Sequence, residues 1–338
     1  MPDHTARNQG IDVLRGLAAL WVVLSHWLPF WARFLGPSPI IVPNPWGEFA
    51  VWLFFVISGF VIFATLGKSK SVFEFSVLRA SRLYPVFWLS LLVATTADVV
   101  IDGRWPLPRD AYFNITMVHQ FFGHGNFENV YWSLTVELAF YALAGVLLLF
   151  GLHRRPEPAV AAWLVCSCLW AVFLKIPGAG ASSRDLWSIY LALDYAPYFA
   201  CGVLFYRSSQ EGWTRQRISL LCLAVLAEYL IRDRWGIAPM LAILAIFGMA
   251  STGRLRLLVS PVTLWLGAIS YPLYLLHTNL GRKALTFLHA EGWSPIAAVL
   301  VTLPCVLALA TAVHYFIEQP AMLVVRDWYS RWQRRGGG

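Results

Sequence analysis

The sequence predicts an all-α protein: a polytopic transmembrane helix bundle of about ten spans, with both termini cytoplasmic. Three observations carry this. Apolar stretches of about 20 residues, the length an α-helix needs to cross a hydrocarbon core, recur along most of the 338 residues. A mean hydropathy of +0.60 with 13% charged residues leaves too little polarity to cover a soluble core. Lys and Arg gather in short connections between the stretches, the pattern that fixes sidedness in membranes.

In chain order the stretches run over 11–31, 48–67, 80–100, 131–151, 159–176, 187–206, 216–231, 236–252, 259–280 and 295–318. The first exceeds the apolar core of a signal peptide and lacks a small-residue cleavage site behind it, so it is read as a retained span. The seventh and eighth are divided only by Arg232-Asp233-Arg234-Trp235-Gly236. The connection 101–130 is too long for a simple link and is expected outside, carrying a short amphipathic or re-entrant piece around Tyr112 to Phe122. With the N-terminus inside, 17 of the 26 Lys and Arg fall on the inner side, among them Arg7, Arg15, Lys68, Arg79 and Arg82. The division is then a cytoplasmic segment 1–10, a membrane domain 11–320 and a cytoplasmic tail 321–338 ending in three glycines.

Composition also excludes function classes. The net charge of +8 is spread over short loops rather than one water-exposed face, so no nucleic-acid partner is expected. The five cysteines all lie in apolar stretches, with neither metal-ligand spacing nor a disulfide framework. His119, His124 and Glu128 match no specific metal pattern; no metal and no tightly bound cofactor are expected. Of the many aromatic rings, Trp46, Tyr131, Trp132, Tyr195 and Tyr198 suit either stacking on sugar rings or anchoring at the headgroups.

Ionisable groups inside spans are expensive and face a bundle interior or a wet cavity. Arg15 and His26 are eleven residues apart, close to three whole turns, so they leave one face of the first helix about 16 Å apart along its axis. Glu137, Asp194 and His277 fall at the depth of His26, whereas Arg79 and Arg82 share the inner edge with Arg15. Guanidinium groups match phosphate oxygens, and coenzyme A carries phosphates at one end and a thioester at the other. An acyl-CoA donor anchored by Arg15, Arg79 and Arg82 would extend its acyl group toward His26, whose neutral imidazole can accept a hydroxyl proton. Each residue has a plainer reading as well. Arg15 pairs with Asp12 at i and i+3 and anchors the helix edge, as do Arg79 and Arg82; His26, Glu137, Asp194 and His277 serve as interhelical hydrogen-bonders.

These residues lie in a recognisable series of motifs. Ile11-Asp12-Val13-Leu14-Arg15-Gly16-Leu17-Ala18-Ala19 with Ser25-His26, Phe54-Phe55-Val56-Ile57-Ser58-Gly59-Phe60, Arg79-x-x-Arg82-Leu83-Tyr84-Pro85, Tyr131-Trp132-Ser133-Leu134-Thr135-Val136-Glu137, Ser270-Tyr271-Pro272-Leu273-Tyr274-Leu275-Leu276-His277 and Ile317-Glu318-Gln319-Pro320 follow one another. In that order they resemble the membrane-bound acyltransferase 3 family. The resemblance implies acylation of hydroxyls, often on surface polysaccharides or glycolipids, with cytoplasmic acyl-CoA, chiefly acetyl-CoA, as donor. It marks Arg15 and His26 as essential, Arg79 and Arg82 as donor-binding, and Glu137 and Glu318 as motif residues. Two departures are visible. The chain stops about 18 residues after the last span, without the hydrolase-like domain that some relatives append. Leu138-Ala139 follows Glu137 where many relatives are more polar, which weakens Glu137 as half of a carboxylate pair.

The combined expectation is an O-acyltransferase, most simply an O-acetyltransferase, of a bacterial inner membrane. Acyl-CoA enters from the cytoplasm and a carbohydrate or glycolipid acceptor from outside. His26 acts as general base or transient acyl carrier, Glu137 orients it or a sugar hydroxyl, and Ser58 or Tyr274 donates to the oxyanion. Two rivals are kept. A transporter would use the same intramembrane His and carboxylates but predicts inverted repeats; a non-catalytic assembly subunit predicts that His26 is dispensable. The sequence sets no oligomeric state.

Overall fold

The computed structural model describes residues 8–37, 46–105, 108–176 and 187–335. Arg7 and Gly336-Gly337-Gly338 lie outside the described residues. Within them every regular element is a helix, as expected. The principal ones are α1 (Gln9–Phe34), α2 (Trp46–Leu66), α3 (Val72–Asp102), α4 (Pro108–Ile115), α5 (Trp132–Leu149), α6 (Glu157–Leu174) and α7 (Ala196–Glu211). They continue with α8 (Arg215–Arg232), α9 (Arg234–Ser251), α10 (Pro261–Ala268), α11 (Ser270–Ala290), α12 (Pro295–Val313) and α13 (Gln319–Arg334). A π-helical turn, His314–Glu318, joins α12 to α13.

Among the described residues, seven helices are long and apolar enough to cross a membrane: α1, α2, α3, α5, α6, α9 and the run from α12 through α13. The three remaining expected stretches take other forms, each with a local cause. Pro197, at the start of α7, and the positive φ of Ala192 at 49° interrupt the sixth stretch, which is helical over 187–190 and resumes as α7 at Ala196. The seventh, α8, keeps Arg residues at both ends and a buried Glu228. The ninth divides at Ile269 into α10 and α11, because Pro272 lacks an N–H and its ring clashes with the carbonyl four residues back. The narrow turn between α8 and α9 contracts to Asp233, held at φ +57°.

α3 begins earlier than the hydropathy pattern implies. Ser71 caps it by accepting from Glu74 N at 3.1 Å, and Glu74 Oε2 accepts from Lys70 N at 2.7 Å. Arg79 and Arg82 therefore lie two to three turns inside the helix, instead of at its start. The long connection does carry short helices near Tyr112 to Phe122: α4, and a 3-10 turn at His119–Phe122. Asn114 closes it, donating to Gly125 O at 3.0 Å and accepting from Phe127 N at 2.9 Å.

The chain forms two compact units. One comprises Met1–Ala18, Phe49–Ser69 and Thr135–Gly267; the other Ala19–Glu48, Lys70–Leu134 and Ala268–Gly338. Between helices in lipid the hydrophobic effect contributes little, so close packing and hydrogen bonds hold each unit. In the first, α8 packs against α6, α7 and α9, and buried Phe199 stacks on Phe140 at 4.3 Å and lies 4.8 Å from Phe55. Here α2 and α7 touch backbone to backbone: a Cβ on Gly59 would lie 2.2 Å from Phe199 O, and one on Gly202 2.1 Å from Val56 O. Arg217 Nε donates to Glu157 Oε1 at 2.9 Å, pinning the start of α8 to that of α6. In the second unit α11 packs against α3 and α12, while α13 lies along α3.

Candidate functional site

α1 carries the first pair of expected residues. Arg15 Nη1 stands 3.6 Å from Asp12 Oδ1, so the i, i+3 pairing exists. His26 follows eleven residues later on the same helix.

The structure then brings His26 to a residue 251 positions away: its Nδ1 lies 2.9 Å from Nε2 of His277 on α11. The remaining contacts of His277 decide which nitrogens carry hydrogen. Its Nδ1 faces the carbonyl oxygens of Tyr274 at 2.8 Å and Leu273 at 3.2 Å. Carbonyls only accept, so Nδ1 of His277 is the protonated nitrogen. His277 is wholly buried, and among the described residues neither imidazole bonds a carboxylate. A buried charge without a partner is costly, so His277 is neutral and its Nε2 is an acceptor. His26 must therefore donate from Nδ1, which leaves the lone pair on His26 Nε2.

The helices approach closely enough for this because α11 has glycine at 281. A Cβ there would fall 2.3 Å from Nε1 of Trp27, which is fully buried. The same Trp27 Nε1 donates to His277 O at 2.9 Å, so the residue beside His26 fixes the backbone that presents His277. Sequence depth placed His277 in the layer of His26 but gave it no role; Trp27 and Gly281 were missed, for only the contact reveals them.

The other expected residues occupy separate clusters. Glu137 Oε1 receives two hydroxyls, Ser58 at 3.0 Å and Tyr141 at 2.5 Å. Tyr141 follows by four residues and so lies on the same face. Tyr274 lies within the second unit, its hydroxyl 2.7 Å from Ser133 Oγ and donating to Val130 O at 3.2 Å. Service as oxyanion donors would require Ser58 and Tyr274 to exchange these bonds. Asp194 accepts from Ser188 at 2.5 Å, and its backbone oxygen from Arg232 at 3.1 Å. Glu318 sits in the π turn: Gln319 donates to His314 Nε2 at 2.9 Å, so His314 Nδ1 donates to Glu318 Oε2 at 2.6 Å. Arg79 and Arg82 are half-buried on α3, with the Arg79 guanidinium 5.8 Å from the Phe75 ring centre.

The loop residues weighed as metal ligands are engaged apart from one another. His119 Nε2 donates to Asn126 Oδ1 at 2.7 Å, while burial holds its imidazole below the usual histidine range. His124 stacks on Phe113 at 3.8 Å. Tyr131 and Tyr198, weighed as sugar platforms, are fully buried. The Trp46 side chain lies outside the described residues.

Comparison with known proteins adds the family. The model of an acyltransferase domain, that of the acyltransferase 3 family, matches residues 8–315. Nodulation protein 10 of Rhizobium leguminosarum bv. viciae is 25% identical, over 95% of this chain and 95% of its own. Acyltransferase MdmB of Streptomyces mycarofaciens is 23% identical, over 95% of this chain and 93% of its own. A longer Staphylococcus aureus (strain COL) protein provisionally named an O-acetyltransferase is 24% identical, over 92% of this chain and 56% of its own. No solved structure matches. With its long apolar helices and a family match spanning most of its length, the chain belongs to the acyltransferase 3 family and is an integral membrane acyltransferase.

Proposed function

We propose that the protein moves an acyl group, most simply acetyl, from cytoplasmic acyl-CoA to a hydroxyl of a polysaccharide or glycolipid on the outer side of a bacterial inner membrane. The observation that carries the chemistry is the 2.9 Å contact between His26 Nδ1 and His277 Nε2. It leaves the bare Nε2 of His26 as a general base. That nitrogen takes the proton of the acceptor hydroxyl as its oxygen attacks the thioester carbonyl; the carbon–sulfur bond breaks, and the proton passes to the departing thiolate of coenzyme A. His277 is a positioning residue in this reading.

Arg15, Arg79 and Arg82 are assigned to the phosphates of the donor, which planar guanidinium forks suit. Glu137, with Ser58 and Tyr141, orders the polar interior of its own unit; Glu318 and Asp194 are assigned structural roles. The ten-span arrangement with cytoplasmic termini, the membrane domain over 11–320 and the tail over 321–338 belong to the same proposal, supported by the balance of basic residues. The carbohydrate acceptor is supported by the family's habits and, for acetyl, by the relative provisionally named an O-acetyltransferase.

The test is mass spectrometry of envelope glycans from a deletion strain carrying wild type or His26→Ala. Acylation restored by wild type and not by the variant is expected. Equal restoration by the variant would overturn the role of His26, and unchanged acylation in the deletion strain would overturn the glycan acceptor.

A further inference from the structure

A second polar cluster lies in the same unit as the imidazole pair, further along α11. Asn279 donates both amide hydrogens, to Asp98 Oδ1 at 3.0 Å and to Glu128 Oε1 at 2.9 Å. Its own Oδ1 is buried and accepts no hydrogen bond among the described residues. One turn on, Arg282 has a buried Nε–H that likewise meets no acceptor. The Arg282 guanidinium stands 5.4 Å from the centre of the Phe30 ring and within electrostatic range of Glu128 and His26. Lys283 shares Asp98 Oδ1 with Asn279, at 2.9 Å, and lies 2.6 Å from Asp102. Phe30 follows His26 by four residues, so ring and imidazole share one face of α1.

An unmade bond at a buried donor or acceptor is costly, because the group has given up water for nothing. Two such atoms, three residues apart on one helix and both beside Glu128, call for a ligand that donates to one and accepts from the other. We infer that Asn279 and Arg282 form a subsite for the acceptor that holds a neutral vicinal diol, such as two adjacent hydroxyls of a sugar ring, with Phe30 against the ring's C–H face. This rests on the proposed hydroxyl acylation and names the feature by which the acceptor is recognised. One hydroxyl donates to Asn279 Oδ1 and its neighbour accepts from Arg282 Nε–H, which satisfies both atoms at once. An anionic ligand fits poorly, because the carboxyl groups of Asp98, Asp102 and Glu128 outnumber the charges of Arg282 and Lys283. That separates this subsite from the phosphates of the donor. Gripping two hydroxyls fixes the ring relative to His26, and so determines which remaining hydroxyl reaches the base.

The test uses the full chain in nanodiscs free of glycoside detergents. The probes are methyl glycosides of glucose, galactose and N-acetylglucosamine, cis- and trans-cyclohexane-1,2-diol, and cyclohexanol as the single-hydroxyl control. Apparent Kd values come from the dependence of the thermal unfolding midpoint on probe concentration. At least one diol-bearing probe is expected to bind tenfold tighter than cyclohexanol, with Asn279→Leu and Arg282→Lys each losing that tenfold. Arg282→Lys keeps the charge while removing the Nε–H, so it decides the matter if Asn279→Leu fails to fold. Equal binding of cyclohexanol, no binding of any diol, or undiminished diol affinity in Arg282→Lys would overturn the subsite. His26→Ala separates this from the catalytic reading: transfer retained in that variant sinks the chemistry and leaves the subsite standing.

Discussion

Replacing His277 with leucine removes the imidazole that accepts from His26 Nδ1–H, and the size of the effect follows from the geometry. The bond joins two neutral rings on different helices at 2.9 Å. Interhelical hydrogen bonds of this kind contribute about 0.6–1.7 kcal/mol, or about 3- to 20-fold in rate if the loss falls wholly on the transition state. His277→Leu should therefore lower kcat by about 3- to 20-fold, whereas His26→Ala removes the base and should cost about 100- to 10,000-fold. KM for acyl-CoA should stay within about twofold in His277→Leu, since no donor contact is assigned to it. Transfer of labelled acetyl from acetyl-CoA gives the rates, and 15N NMR of the imidazole nitrogens gives the tautomer directly. Wild type should show His26 protonated at Nδ1 and bare at Nε2; His277→Gln, whose amide oxygen can also accept, should recover much of both signals. A His277→Leu enzyme with wild-type kcat, or a His26 ring protonated at Nε2 in the wild type, would refute the reasoning.

Three further outcomes follow from geometry elsewhere. Tyr141→Phe and Ser58→Ala each remove one of two donors to Glu137 Oε1, so each should cost about 0.5–1.5 kcal/mol. The double variant should cost more than their sum in a thermal-unfolding cycle; strict additivity would mean that the shared oxygen does not couple them. Gly281→Ala forces a methyl against Trp27 and should destabilise by about 1–3 kcal/mol while lowering kcat, because the Trp27 bond to His277 O moves with it; a wild-type melting curve would count against the close approach. Glu128 is buried beside Asp98, and burial holds its carboxyl above the usual range. With the folded-state pKa raised, both states are protonated at low pH and carry no penalty; as pH rises through that interval the cost of ionising the buried group appears. Glu128→Gln should thus match wild type near pH 4 and exceed it in thermal stability at pH 8, and the reverse order would contradict the assignment.

Much of this was legible in the sequence, for identifiable reasons. Uninterrupted apolar runs announce helices in lipid, and seven of the ten stretches are met by helices long and apolar enough to cross, with α3 starting earlier and the last run continuing further than the pattern implies. The remaining three were altered by local chemistry that hydropathy averages away: Pro272, Pro197 and the charged ends of α8. The spacing of Arg15 and His26 could be read because a helix turns that spacing into geometry. The partner of His26 could not, since nothing within one helix reports what stands 251 residues away. Depth proposed one layer containing His26, His277, Glu137 and Asp194; the structure shows the two histidines in contact and gives Glu137 and Asp194 clusters of their own. Asn279 and Arg282 escaped notice because they fall at the end of the apolar run and just past it, where polar residues are unremarkable until their unpaired atoms are seen.

The pairing of His26 with a second imidazole, where a carboxylate is the commoner partner of a catalytic histidine, has an electrical consequence. Moving one elementary charge through 100 mV of membrane potential changes its energy by about 2.3 kcal/mol. A neutral ring bonded to a neutral ring gives that field no net charge to act on in the resting site, so membrane voltage does not bias the base toward either tautomer. The resting pair therefore offers the potential nothing to move, and in the proposed reaction a voltage effect would enter only at the step in which His26 takes up a proton.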